Sequence, residues 1–440
     1  MKLLQYTIAT FLIIALTKAN ETMAQEKRSK QPNIILIMAD DIGYEAFGSY
    51  GNTSYKTPKI DKMAAEGMQF NQCYAQPLCT PSRVKIMTGK YNFRNYEGWG
   101  YLNTNETTFA HILKSQGYAT CIAGKWQLKG DEFAPYKAGF DEYHLWQLTF
   151  TSYNERYKNP RVVENGKMIK YQEGEYGPQL HTDFLIDFIE RNKDKPFLAY
   201  YPMALTHRPY VPTPDSPDYD VVEIPSSGNA HSAVSDPKYF KDEVAYVDKI
   251  VGQIIDKVHE LGIADNTLIL FTGDNGTGNG INSQIGDTTI PGMKGSTNKY
   301  GTHVPLIAYW AGQIMPGQIN ENVVDFSDFL PTITDVVGIT LPKTFVTDGI
   351  SFYPQLKGDF SKAREWVFCH FDPKNGDKYP KRRFVQNAVW KLYESGEFYN
   401  VKDDPFEKNS IPDSNLTADP KNIKKQFQDV LSKMHIDVLE

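Results

Sequence analysis

Residues 33–41 read NIILIMADD, one asparagine and six apolar side chains followed by two adjacent carboxylates. A run so short, apolar and rich in isoleucine predicts a strand covered on both faces, as in parallel sheets packed under helices. Four more runs share this texture: ATCIAGK (119–125), FLAYYPMA (197–204), TLILFTG (267–273) and VPLIAYWAG (304–312). Between them lie amphipathic stretches with helix punctuation. TPKIDKMAAEG (57–67) opens with Thr57 as cap and Pro58 in the first turn and stops at Gly67. TTFAHILKSQG (107–117) stops at Gly117, and DEVAYVDKIVGQIIDKVHELG (242–262) at Gly262. DFSDFLPTITDVVG (325–338) reads as another helix, kinked or restarted at Pro331. The alternation predicts an α/β fold with a central, mostly parallel sheet flanked by helices.

From about residue 345 the texture changes. REWVFCHF (364–371), RRFVQNAVWKLYE (382–394) and GEFYNV (396–401) read as strands at hairpin spacing, and PKNIKKQFQDVLSKMHIDV (420–438) as a closing helix. They predict a smaller C-terminal α+β subdomain over 345–440, a short antiparallel sheet plus a helix, after a main domain over 25–344. Residues 141–180 and 209–238, rich in proline, tyrosine and aspartate, read as long loops of the kind that bind ligands. Residues 1–24 combine a charged start, a short apolar core and small residues around Ala19 and Ala24, the pattern of a signal peptide. The expectation is export, to the periplasm or outside the cell. The apolar core is shorter than the roughly 20 residues of a spanning helix, so no membrane span is expected once the leader is removed.

With 40% hydrophobic, 23% charged and 13% aromatic residues, the 440-residue chain has an ordinary globular composition, which excludes disordered and fibrous classes. A net charge of -6 argues against non-specific nucleic-acid binding, so an anionic ligand must meet a local basic pocket. Cys73, Cys79, Cys121 and Cys369 are too few and scattered for a disulfide framework, and no Cys/His cluster has zinc spacing.

Ligands of open α/β sheets bind beyond the carboxyl ends of the strands. Here those ends carry Asp40–Asp41, Lys125, Thr206–His207–Arg208 and Asp274–Asn275. Any one of these could be a solvated strand end or a cap; together they converge on one edge. Asp40, Asp41, Asp274 and Asn275 offer hard oxygen ligands, which suit calcium or magnesium rather than zinc. Lys125, Arg83, His207 and Lys294 would place positive charge on an anion beside that metal, and a tetrahedral oxyanion is the natural guest. In QPLCTPSRVKIMTG (76–89), Pro81 marks the first turn of a helix, which sets Cys79 at the positive end.

These motifs resemble the formylglycine-dependent (type I) sulfatases of the alkaline-phosphatase-like superfamily, from about residue 31 to about 412. The matching pieces are PNIILIMADDIGYEAFGSYGN (32–52), CTPSR (79–83) with MTGKYNFR behind it, GYATCIAGKW (117–126), THRP (206–209), FTGDNG (271–276), GMKGS (292–296) and FYNVKDDPFEKN (398–409). The resemblance implies that a formylglycine-generating or sulfatase-maturing enzyme oxidises Cys79 of the C-x-P-x-R motif to formylglycine (3-oxoalanine), whose hydrated form attacks sulfur. It implies one calcium ion held by Asp40, Asp41, Asp274 and Asn275 next to residue 79. It also implies that Arg83 and Lys125 steady the formylglycine oxygens, that Lys294 grips the sulfate, and that His207 protonates the leaving alcohol. Two positions depart from the family. Gln127 stands where G-K-W is normally followed by a histidine that helps remove the diol proton, and glutamine is no base near neutral pH. His303 stands where many relatives have arginine and is read as a substrate contact or a packed residue.

Arg208 is a candidate for a substrate carboxylate or second sulfate, with a surface ion pair as the alternative. Lys381–Arg382–Arg383 is weighed as a pocket wall against a solvated face. Three functions compete. The first is a sulfatase acting on a sulfated oligo- or polysaccharide, with a marine algal polysaccharide degraded by a bacterium as the expected substrate and a mammalian-type glycosaminoglycan as the alternative. The second is a phosphomonoester or phosphodiester hydrolase using Thr80, and the third an inactive binding protein of the same fold.

Overall fold

The computed structural model describes residues 31–148, 155–224 and 235–436. The leader expected over residues 1–24 lies outside the described residues.

Seventeen strands are described, in chain order β1 (Asn33–Ala39), β2 (Met68–Tyr74), β3 (Ala119–Lys125), β4 (Glu142–Trp146), β5 (Arg161–Glu164), β6 (Lys167–Lys170), β7 (Phe197–Pro202), β8 (Thr267–Gly273), β9 (Asn282–Ile285), β10 (Thr288–Pro291), β11 (His303–Tyr309), β12 (Gln318–Asn320), β13 (Val324–Asp325), β14 (Val367–Phe371), β15 (Arg382–Gln386), β16 (Trp390–Tyr393) and β17 (Phe398–Asn400). The helices of seven residues or more are α1 (Pro58–Glu66), α2 (Cys79–Thr88), α3 (Phe109–Ser115), α4 (Gly177–Asn192), α5 (Phe240–Glu260), α6 (Phe329–Val336) and α7 (Ala418–Ile436).

Eleven strands form one sheet in the order β12-β2-β11-β8-β1-β7-β3-β4-β5-β6, with β13 also paired to β2. β1 is parallel to both β7 and β8, and β3 to both β7 and β4, whereas β11 runs antiparallel between β8 and β2. The opening stretch is thus the centre of the sheet. Ile34, Leu36 and Met38 enter one hydrophobic core and Ile35, Ile37 and Ala39 the other, all fully buried, which is why the run shows no polar alternation.

Three expectations are corrected. The presumed loop over 141–180 contains β4, β5 and β6, which extend the main sheet, and the start of α4. Its strands are short and interspersed with charged residues because they lie toward the sheet edge, where full apolar cover is not needed. Pro331 neither kinks nor restarts its helix: it sits in the first turn of α6, after a 3₁₀ turn at Phe326–Asp328, where its missing N–H costs nothing. Thr57 takes the N-cap position of α1 and its carbonyl accepts from Asp61 N, but its hydroxyl accepts from Gly48 N and donates to the Asp61 carboxylate, so the expected side-chain cap is not made.

The second sheet is antiparallel, in the order β14-β15-β16-β17, with α7 packed on it through Phe427, Val430 and Leu431. Two buried ion pairs join it to the main sheet. Lys85 on α2 bonds Asp325 at 2.8 Å and the carbonyl of Phe368, and Arg364 bonds Asp328 through Nε at 3.0 Å and the hydroxyl of Tyr91.

Candidate active site

Backbone pairing continues past the strands and fixes the polar residues that follow them. Asp40 N donates to Leu205 O and Thr206 N to Asp40 O, while Asp274 N donates to Ala39 O. The ends of β1, β7 and β8 are therefore locked side by side. β3 joins them because Gly124, at φ +120°, lets its backbone lie against β7; a Cβ there would stand 2.2 Å from Pro202 O. Lys125 follows directly.

Asp40, Asp274 and Asn275 are fully buried and Asp41 nearly so. Asp41 N donates to Asp274 Oδ1 at 3.0 Å, and Asn275 Nδ2 donates to Asp41 Oδ1 at 2.9 Å. Ligand atoms of Asp40, Cys79 and Asp274 lie within 4.8 Å of one another, as do those of Asp40, Asp41 and His207. Asp40 Oδ1 and Asn275 Oδ1 have no hydrogen-bond partner among the described residues. Three buried carboxylates and two orphaned buried oxygens form a cradle that fits a hard divalent cation.

Cys79 is the first residue of α2, a helix whose every residue is buried. Its thiol donates to Gln127 Oε1 at 3.1 Å, and burial pushes the thiol up in pKa while Lys125 and Lys294 pull it down. Arg83, one turn along, donates through Nη1 to Lys125 O at 2.9 Å and reaches Asp274 Oδ2 at 3.3 Å. Lys125 Nζ bonds Asp40 Oδ2, and Lys294 Nζ bonds Asp41 Oδ2 at 2.6 Å. His207 Nδ1 lies 2.7 Å from Arg208 O, which assigns the proton to Nδ1 and leaves Nε2 facing Asp41 Oδ2 at 3.7 Å. Burial, Lys294 and Lys125 hold its imidazole well below the ordinary range, and an anion entering between those lysines would act in the opposite direction. The structure thus brings Asp40, Asp41, Cys79, Arg83, Lys125, Gln127, His207, Asp274, Asn275 and Lys294 to one site.

The comparison with known families agrees with this geometry. A model described as Sulfatase matches residues 32–339, and one described as N-sulphoglucosamine sulphohydrolase, C-terminal, matches residues 297–437. The chain belongs to the sulfatase family. Among its relatives is human N-acetylgalactosamine-6-sulfatase, 30% identical over 361 residues that span 74% of this chain and 66% of the relative. Bovine arylsulfatase A is 29% identical over 465 residues, 92% of this chain and 88% of the relative. Among solved structures, the PsFucS1 sulfatase from Pseudoalteromonas sp. superposes with a TM-score of 0.74 at 22% identity, covering 95% of this chain and 92% of that one. The fold of this sulfatase-family chain is that of its solved neighbours.

Above the cluster opens a cavity of about 460 Å³ lined by Asp41, Cys79, Lys125, Gln127, His207, Arg208 and Lys294 from the residues expected by sequence. Thr80, the nucleophile of the phosphoester reading, is fully buried and does not reach it. His303 is not a lining residue: it is 3% exposed, stacked between Tyr44 and Tyr74 at ring distances of 4.0 and 5.2 Å, so the packed reading holds. The basic cluster is also elsewhere. Lys381 pairs with Asp372, Arg382 with Glu397 and Arg383 with Glu394, because the register of β15 aims them at its neighbours. The C-terminal residues that do line the sulfatase cavity are Asn375, Lys378 and Tyr379. Trp99, Trp146, Gln147, Arg156 and Tyr210 were not anticipated individually, although Trp146, Gln147, Arg156 and Tyr210 lie in the two stretches expected to hold binding loops.

Proposed function

We propose that this protein is an exported sulfatase that hydrolyses sulfate esters of a carbohydrate, releasing the alcohol and inorganic sulfate. One observation carries the reading: Cys79, of C-x-P-x-R, sits at a helix N-terminus on the floor of an open cavity, between two lysines and beside an oxygen-only cation cradle. With one calcium bound and Cys79 oxidised to formylglycine, the site would gain a cation that polarises sulfate oxygens and an aldehyde hydrate as nucleophile.

The chain's own residues account for the rest. Asp40, Asp41, Asp274 and Asn275 would hold the ion. Arg83 and Lys125, paired with Asp274 and Asp40, would steady the formylglycine oxygens of residue 79. Lys294, part-buried and already opposite Asp41, would bind a sulfate oxygen, and His207, whose Nδ1 is held by Arg208 O, would give a proton from Nε2 to the departing alcohol oxygen once the bound sulfate had raised its pKa and Nε2 had taken one up. The aromatic rings of Trp99, Trp146 and Tyr379 in the cavity suit the apolar face of a sugar. The relatives named above act, by their names, on sulfate esters including one of N-acetylgalactosamine, which favours a sugar ester over a phosphoester. The placement of Thr80 away from the cavity weighs against the phosphohydrolase reading as well.

The further parts of the proposal rest on the sequence. The leader at residues 1–24 supports a periplasmic or secreted enzyme, the C-x-P-x-R motif supports a maturing enzyme as a biosynthetic partner, and the two together support a bacterial enzyme of polysaccharide degradation, with a marine algal glycan as substrate. Among the described residues no helix is long and apolar enough to cross a membrane.

The test is to co-express the chain with a formylglycine-generating enzyme and weigh the tryptic peptide containing Cys79. The expected result is the mass of an aldehyde in place of the thiol, together with sulfate release from sulfated sugars. A thiol retained at residue 79, under conditions that convert a control sulfatase, would remove the basis of the proposal.

A further inference from the structure

Arg156 is the cavity residue that the reaction leaves unused. Its side chain is 1% exposed overall, yet it forms part of the cavity wall. The guanidinium lies over the rings of Trp146, at 4.8 Å, and Tyr157, at 5.3 Å, which fix its plane. Nη2 donates to the carbonyl oxygen of Arg208, but Nε and Nη1 have no hydrogen-bond partner among the described residues. Glu243, the buried acid that senses this charge, does not balance it. Burial pushes its carboxyl well above the usual range, and its Oε1 accepts from Val211 N.

A permanently charged group, buried, held rigid and short of partners on the wall of a binding cavity is incomplete without an anion. The surroundings point the same way. The chain is net negative, at -6, but the cavity gathers Lys125, Arg156, Arg208, Lys294 and Lys378 against Asp41 alone among carboxylates. Lys125 and Lys294 already face the carboxylates of the cation cradle. Arg208 and Lys378 are exposed, and Arg208 Nη2 is held by Asn279 O at 3.1 Å. These three cations exceed what one sulfate ester can use.

We infer that Arg156, with Arg208 and Lys378, forms a subsite for a second oxyanion on the sugar whose sulfate ester lies at residue 79. The inference rests on the sulfate-ester reading and narrows it to polyanionic carbohydrates: the second group is a further sulfate or a uronate carboxylate. Either can accept charge-assisted N–H bonds from the unpartnered Arg156 side chain together with Arg208 and Lys378, stronger than any a neutral hydroxyl accepts. Arg156 acts here as a specificity residue and takes no part in bond breaking.

The experiment is calorimetric titration of the calcium-loaded full chain with Cys79 left as the thiol, so that bound esters are not turned over. The probes are inorganic sulfate, matched mono- and disulfated forms of galactose, N-acetylgalactosamine and glucosamine, and a monosulfated disaccharide carrying a uronate. The disulfated member of at least one pair, or the uronate disaccharide, should bind at least tenfold tighter than the corresponding monosulfated sugar, and which of the two does so identifies the second anion. Arg156→Gln should cut that preference to about threefold or less, with Arg156→Lys between the two. Arg208→Gln, at an exposed position that does not threaten folding, should reduce it as well. Equal binding of mono- and dianionic sugars by the unmodified chain, or equal losses for both in the variants, would overturn the subsite while leaving the sulfate-ester reading standing. No binding of inorganic sulfate or of any monosulfated sugar would overturn both.

Discussion

Gln127 occupies the place where the family carries a histidine, and the structure shows the environment such a histidine would meet. Its backbone lies in the left-handed region, at φ +52°, and its Oε1 accepts from the Cys79 thiol. Histidine is among the residues enriched in that region, so Gln127→His should be accommodated without rebuilding the turn. An amide can orient a hydroxyl but cannot take its proton near neutral pH. The matured Gln127→His enzyme should therefore turn over a sulfated sugar faster, by roughly 10²-fold in kcat, the lower end of what a positioned base contributes, with KM changed little. A kcat that stays level or falls would mean that one of the aspartates already serves as base and that the glutamine belongs to the native mechanism. His207 invites a different comparison, because its proposed task depends on the leaving group. His207→Ala should slow a sugar sulfate by roughly 10²- to 10⁴-fold and an activated aryl sulfate far less, since a stabilised phenolate needs no proton. Equal losses on both substrates would reassign the ring to sulfate binding.

The contact between β4 and α4 carries a second titratable feature, remote from the chemistry. His144 on β4 and His181 on α4 are both buried, with their Nδ1 atoms 2.7 Å apart, and His181 Nδ1 also lies 3.0 Å from His144 O. Phe184 stacks on His144 from the same helix. Burial pushes His144 down to about 4 and His181 well below its ordinary range, so the folded pair stays neutral where the unfolded chain would begin to bind protons. The sign follows from linkage: above pH 6.5 the pair does not affect the pH dependence, and as pH falls from 6.5 toward 4 the unfolded state gains protons that the folded state refuses, so stability declines. At about 1.4 kcal/mol per pKa unit, His144 alone should cost roughly 3 kcal/mol across that window. Urea unfolding at several pH values should show a shallower decline for His144→Phe, which keeps the stack on Phe184; parallel declines would mean that the pair is not the group responsible. Neither histidine stood out in the sequence. His144 falls within 141–180, where short edge strands without a continuous apolar run look like loops, and His181 lies just beyond it on α4, while β1 and β8, buried on both faces, announce themselves.

That difference also explains which parts of the site could be read in advance. Asp40, Lys125, His207 and Asp274 end or follow strands whose boundaries are marked by composition, so they could be placed on one edge before any coordinates, whereas Arg83 and Lys294 were placed by their motifs. Arg156, Lys378 and Tyr379 reach the cavity from segments with no periodic signal, and only tertiary packing brings them there. Conversely, Lys381–Arg382–Arg383 had the charge expected of a pocket wall, but strand pairing turned it toward Glu394 and Glu397. The cation cradle is where these levels meet, since its four residues come from the ends of two neighbouring strands that lie 233 positions apart in the chain. A bound cation should therefore act on the stability of the entire fold as well as on activity. At free calcium one hundred times its dissociation constant, binding to the folded state alone adds about 2.7 kcal/mol. Chelation should lower the thermal midpoint by several degrees, calcium should restore it, and Asn275→Ala, which removes an orphaned oxygen without burying a new charge, should raise the calcium concentration needed. Magnesium should restore less, because it gives up its waters reluctantly and demands near-ideal octahedral geometry where calcium is adaptable. A midpoint indifferent to chelation, in protein shown by elemental analysis to have lost its metal, would mean that the carboxylates at the ends of β1 and β8 are balanced by Lys125, Lys294 and Arg83 alone.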